Sequence, residues 1–154
     1  VADEIANYGV AIRTFLRESS VLASAPYLGS NTKIYVGFPT DKNNQLTVPP
    51  FSNMVVILPS RGGPGDVGLG QQESRIDIRC YGSDEIQSKK IWRALDYYLY
   101  PLDTRRATAF TRNNCQINWI IRESAEWTLT DSDAANWPFT MAAYIVNYNG
   151  QVRE

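Results

Sequence analysis

The stretch from Glu73 to Leu102, ESRIDIRCYGSDEIQSKKIWRALDYYLYPL, constrains the fold more than any other part of the chain. It begins with strict alternation. Ile76, Ile78 and Cys80 point one way, and Arg75, Asp77 and Arg79 point the other. A period of two marks a half-buried strand with one wet or partner-facing side. Gly82 and Ser83 break the pattern, and Asp84 with Gln87 three residues on forms a helix start of the capping-box type. Ile91, Leu95, Tyr98 and Leu102 then follow at steps of four, three and four, with Ala94 and Leu99 alongside, as one apolar stripe. Pro101 closes the segment, because it cannot donate the backbone bond of an interior helix position. The two elements are consecutive, so the stripe is expected to lie on the Ile76/Ile78/Cys80 face.

The remainder must complete that unit. The chain has 154 residues, which suits a single domain that folds without staples. Ala2 to Ser19 reads as a first helix, with Ile5, Tyr8, Ile12, Phe15 and Ser19 on one face. Val21 to Ser30 is a loop. Lys33 to Phe38 is a short strand ended by Pro39, and Thr40 to Pro50 is a polar loop. Met54 to Leu58, MVVIL, is too short for a typical helix and reads as a central strand buried on both faces. Ser60 to Gln72 holds five glycines and reads as a long excursion, a surface arm or one that orders on meeting a partner.

After the second helix, Asp103 to Asn114 reads as a turn carrying Arg105, Arg106 and Arg112. Cys115 to Glu123 alternates, with Cys115, Ile117, Trp119 and Ile121 on one side. Glu126 to Thr130 continues it as strand or bulged extension. Asp131 to Asn136 is a turn. Trp137 to Tyr148 is the last strand, with Phe139, Met141, Ala143 and Ile145 on one face and an antiparallel pairing to the strand before it. The polar tail is expected to fray. The expected fold class is α+β: one domain, a largely antiparallel or mixed sheet of about five strands, with two helices packed on one face.

Several chemistries are disfavoured. There is no histidine, which removes most zinc and copper sites and the usual nucleophile–base pairs. Cys80 and Cys115 form no CxxC and read as small apolar core residues. The Gly-rich arm lacks the Gly-Lys-Ser/Thr ending of a phosphate loop, and a strand follows it instead of a helix. Glu123, Glu126, Asp131 and Asp133 are close in sequence but match no EF-hand spacing, and Glu123 and Glu126 are expected to decorate an exposed strand face. Net charge is −1, so nothing global attracts nucleic acid or an anionic membrane. No apolar run approaches the roughly 20 residues of a membrane span. The opening VADEIANYGV is polar and acidic, unlike a secretory leader. No catalytic, cofactor or metal residues are expected, and an enzyme is not.

The wet side is the more informative one. Four Trp and nine Tyr are many for this length, and Trp92, Tyr97, Trp127 and Trp137 are not expected all to fit one small core. Aromatic residues are enriched at the centres of protein interfaces.

The segment RIDIRCYGSDEIQSKKIWRALDYYL, Arg75 to Leu99, resembles the strand–helix core of the tail terminator (tail completion) proteins of long-tailed bacteriophages. The opening helix and closing hairpin match that family in order. The Gly-rich arm and the aromatic-rich helix depart from it. The resemblance implies a structural virion protein of the neck, assembled in the host cytoplasm: a hexameric ring that caps the tail tube, ends its polymerisation and docks to the head-side connector or stopper, with DNA only passing through the channel. Its implied partners are copies of itself, the tail tube protein and that connector, with no membrane. The expected contacts are Arg61, Asp66 and Leu69 on the arm, Arg75, Asp77 and Arg79 on the strand face, and Arg105, Arg106 and Arg112 in the connection. The alternatives are another head–tail joining protein, a small non-viral binding adaptor, or a nucleic-acid binder using the last three arginines.

Overall fold

The computed structural model describes residues 7–18, 33–43, 45–59, 65–68, 71–100, 109–113, 115–132 and 135–150. Among these residues, two helices and eight strands follow in the order α1 (Tyr8–Leu16), β1 (Lys33–Val36), β2 (Met54–Pro59), β3 (Gly65–Gly68), β4 (Gln71–Tyr81), α2 (Glu85–Leu99), β5 (Phe110–Arg112), β6 (Cys115–Arg122), β7 (Trp127–Asp131) and β8 (Trp137–Gly150). All eight strands join one mixed sheet, in the order β1-β2-β4-β8-β6-β5. β3 pairs with β4, and β7 with β8.

The sheet is built on β4 and β8, which pair antiparallel from Gln71↔Asn149 to Tyr81↔Phe139. Alternation then sorts their side chains. Ile76, Ile78 and Cys80 of β4 and Ala142, Tyr144 and Val146 of β8 face a large core shared with both helices. Each fully buried aliphatic side chain there contributes roughly 1.5–3 kcal/mol. Both cysteines are free thiols within this core. Burial pushes both thiols up, Cys115 to about 11. MVVIL is a central strand, as expected, with Val55 and Ile57 on the helix side and Met54 and Val56 on the other.

α2 starts as its sequence requires. Asp84 is the N-cap, and its Oδ1 accepts from the Gln87 N–H at 2.7 Å. A Cβ on Gly82 would come within 2.6 Å of the Ser88 nitrogen, so only glycine lets the strand end pass so close to the helix. The Gly82 carbonyl accepts from Trp137 Nε1 at 3.0 Å. The buried arc of α2 differs from the expected stripe. It is Ser88, Ile91, Trp92, Leu95, Asp96 and Leu99. Tyr98 sits at its flank, and Leu102 lies outside the described residues.

α1 is shorter than the expected Ala2–Ser19, whose outer residues lie outside the described ones; Asn7 caps it by accepting from the Val10 N–H at 3.1 Å. It buries Gly9, Ala11, Ile12 and Leu16, with Tyr8 and Phe15 at the side. A Cβ on Gly9 would meet Val36 and Pro59 at 3.2 Å, so small residues bring this helix onto β1 and β2. Phe15 stacks on Phe110 of β5, with ring centroids 4.2 Å apart. α1 therefore touches β1 and β2 at one end of the strand order and β5 and β6 at the other. The sheet curls to allow this. The expected sheet with two helices packed on one face becomes a curled one whose two ends meet α1, while α2 rests on β4, β8 and β7.

The expected five strands become eight for local reasons. Part of the Gly-rich arm, Gly65–Gly68, pairs with β4 as β3, and the end of the Arg-rich connection pairs with β6 as β5. β6 and β7 flank β8 on the same side, interrupted between Arg122 and Trp127. There the Glu123 N–H reaches the Ala143 carbonyl at 2.8 Å, and the Ala143 N–H reaches Ser124 Oγ at 3.2 Å. This is the bulged extension the sequence called for. A second irregularity between Ile117 and Trp119 was not expected. The extra residue shifts the phase, so Ile120 enters the core and Ile121 turns outward at 45% exposure.

Candidate assembly surface

The side of the sheet away from the helices carries the candidate site, and the register lays it out in rows. Tyr35, Val56, Arg79, Met141 and Trp127 form one cross-strand row through β1, β2, β4, β8 and β7. Met54, Tyr81, Phe139 and Leu129 form the next. On the other side of the Arg79 row stand Leu58, Asp77 and Ala143, and then Arg75, Ile145 and Ile121.

One end of this face is covered. β1 and β2 are parallel, so the chain between them must cross back along the sheet. It does so over the outer side, where Leu46 and Val48 pack against Met54, Val56, Tyr81, Trp137 and Phe139. Asp41 holds the crossing in shape by accepting from the Asn43 and Gln45 N–H groups at 2.8 and 3.0 Å. The far margin is open. Trp127 is 46% exposed and Leu129 44%, both outside the cover.

The expected strand-face residues occupy three different situations. Arg75 is exposed and pairs with Glu123 at 2.9 Å across β8. Arg79 is drawn into the second core. Its guanidinium lies 4.9 Å from the Phe139 ring centroid and 5.5 Å from that of Phe38. Its Nη1 donates to Tyr81 Oη at 3.3 Å and stands 3.8 Å from Asp131, while its buried Nε has no acceptor. Tyr81 Oη donates to Asp131 Oδ2 at 2.8 Å, and burial above all pushes this phenol up to about 12. Asp77, between the two arginines, is half-buried in its row with Leu58 and Ala143. The alternating charges are therefore largely matched inside the chain.

The other expected contacts separate as well. Arg112 pairs with Glu18 and donates to the Thr111 carbonyl at 2.7 Å, so it ties the end of α1 to β5. Asp66 lies in β3, opposite Gln72. Arg61, Leu69, Arg105 and Arg106 lie outside the described residues. Of the four aromatics not all expected in the core, Trp92 and Trp137 are buried, while Tyr97 and Trp127 are exposed.

One constellation was missed altogether. Asp96, on the buried arc of α2, accepts from Tyr144 Oη at 2.7 Å and from Arg122 Nη1 at 3.0 Å. Arg122 in turn lies 5.4 Å from the Trp92 ring centroid. Burial raises the Asp96 carboxyl above the usual range, against the pull of the Tyr144 hydrogen bond and the Arg122 charge. The signal was available in the helical spacing: Asp96 follows Trp92 by four, so a charge there must find partners indoors. Its position is a structural latch between α2 and β6/β8. Among the described residues no three of Cys, Asp and Glu gather to hold a metal ion, and no helix is long and apolar enough to cross a membrane.

No family model matches the chain, and no curated protein matches it. Among solved structures it is similar to a chain in the virion of native gene transfer agent (GTA) particle, at 16% identity over 92% of this chain and 94% of that one, with a TM-score of 0.47. What the chain does must be read from its own surfaces.

Proposed function

We propose that this protein is a structural virion subunit, a ring-forming tail terminator of a long-tailed phage-like particle. The observation that carries this reading is the open outer margin: Ile121, Trp127 and Leu129 stand exposed on one sheet face. Exposed aromatic and aliphatic groups gathered on one face mark a protein–protein contact. The resemblance of Arg75–Leu99 to the terminator strand–helix core supports the same reading. In it, six copies form a ring on the tail tube, end its polymerisation and dock to the head-side connector, with a channel for passing DNA. Interface burial and surface complementarity supply the work, and no reaction is involved.

The arm from Arg61 to Leu69 is the second contact in this reading. Replacing it with a short turn removes β3 from beside β4, leaves the paired β2, β4 and β8 folded and weakens assembly. Light scattering on the purified protein, alone and with tail tubes, tests the whole proposal. A closed oligomer of fixed mass that binds tube ends is expected. A strict monomer that ignores tubes sinks it.

A further inference from the structure

Two surfaces on opposite sides of the molecule fit one another. The first is the outward side of α2. Ile86, Lys90, Arg93 and Tyr97 follow at steps of four, three and four, so they share one line along the helix, away from Ile91, Leu95 and Leu99 in the core. Ile86 is 67% exposed and Tyr97 52%. The line is apolar at both ends and cationic in the middle. Arg93 is exposed and has no ion pair among the described residues.

The second surface is the floor of the outer sheet face. Asp77 is half-buried there and has no hydrogen-bond or ion-pair partner among the described residues. The flanking arginines are engaged, Arg75 with Glu123 and Arg79 with Asp131. A cation brought from outside would give this carboxylate a charge-assisted hydrogen bond that none of the described residues supplies. Ala143 beside it is small, so the floor is low at this point. Trp127 rises at one margin and Leu58 at the other.

The dimensions agree. Ile86 to Arg93 spans about 10 Å of helix axis, and Ile86 to Tyr97 about 16 Å. Crossing the strands, β7 to β4 spans about 10 Å, and β7 to β2 about 14 Å. Trp127 stands in the row of Arg79, two residues along the strands from Asp77 and Leu58, so on the diagonal Asp77 is about 12 Å and Leu58 about 16 Å from Trp127. A helix laid diagonally across the face with Ile86 on Trp127 therefore brings Arg93 to Asp77 and Tyr97 to Leu58. The geometry points to a head-to-tail contact in which α2 of one copy crosses the outer sheet face of the next, Arg93 meeting Asp77. The two patches differ, so the contact is heterologous and closes into a ring when the rotation allows. This inference rests on the ring-subunit reading and names the surfaces that would make the ring.

Sedimentation velocity on the purified full chain tests it. Arg93→Asp alone and Asp77→Arg alone each weaken assembly about tenfold or more. An equimolar mixture of the two assembles like wild type, since each variant then meets the opposite charge on the other. Circular dichroism confirms that each variant is folded. Should Asp77→Arg fail to fold, Arg93→Asp and Tyr97→Ser carry the test, both at exposed helix positions. An oligomeric wild type whose Arg93→Asp and Tyr97→Ser variants assemble equally well overturns this contact and leaves the ring reading standing. Folded single variants that stay apart when mixed also overturn it. A wild type that is monomeric at every concentration, with and without tail tubes, overturns both.

Discussion

The two faces of the sheet are cut from the same strands by simple alternation, yet they end in opposite states. On the helix side, Ile76, Ile78, Cys80, Ala142, Tyr144 and Val146 disappear under α1 and α2. On the other side, among the described residues, their neighbours meet a crossing loop at one end and leave Trp127, Leu129 and Ile121 exposed at the margin. Even the carboxylates differ. Asp96 has Tyr144 and Arg122 within hydrogen-bonding distance, whereas Asp77 has no partner within the described chain. One face is finished by folding. The other has the composition of a surface finished by association.

Truncation should separate the faces most strongly. Leu95→Ala, in the helix-side core, is expected to cost about 2–5 kcal/mol. Leu129→Ala, at the open margin, is expected to stay within about 0.5 kcal/mol. Urea unfolding of the two variants checks this, and equal losses would erase the distinction. Next comes the latch. Tyr144→Phe leaves the buried Asp96 one hydrogen bond short, at an expected cost of about 1–3 kcal/mol by the same assay.

The latch also has a pH signature. The folded state raises the Asp96 carboxyl, so it holds that proton more tightly than the unfolded chain does. The contribution is fully present below about pH 4, the unfolded range, and is lost as pH rises through the raised folded value. The stability of wild type relative to Asp96→Asn should therefore shrink as pH rises from about 4 toward neutrality. A difference that grows instead would reverse the sign. The smallest effect belongs to the outer pair: Arg75→Ala should cost under about 1 kcal/mol, because Arg75 and Glu123 are both solvent-accessible. A larger loss would mean that the outer face contributes to folding as the inner one does.

Legibility in the sequence followed the reach of the forces involved. The β4–α2 unit was readable because period two, period 3.6 and the Asp84 cap are local. The inward turn of Ile120 was hidden, because the bulge after Ile117 is fixed by pairing with β8, not by the residues of β6. The cover over the outer face was hidden too. It follows from β1 and β2 being parallel, a long-range choice that Thr40–Pro50 does not announce. Alternation found Arg75, Asp77 and Arg79 but not their partners. Glu123, just after β6, and Asp131, at the end of β7, come within reach of them through the pairing with β8, and Glu18 reaches Arg112 from 94 residues away.

The most direct measurement is mass and melting on one variant, Trp127→Thr with Leu129→Thr, compared with wild type by sedimentation velocity and thermal unfolding. The account predicts loss of the oligomer with a cooperative melting transition retained, lowered only by the stabilisation that association gives wild type. A variant that assembles like wild type, or one that no longer folds, would contradict it.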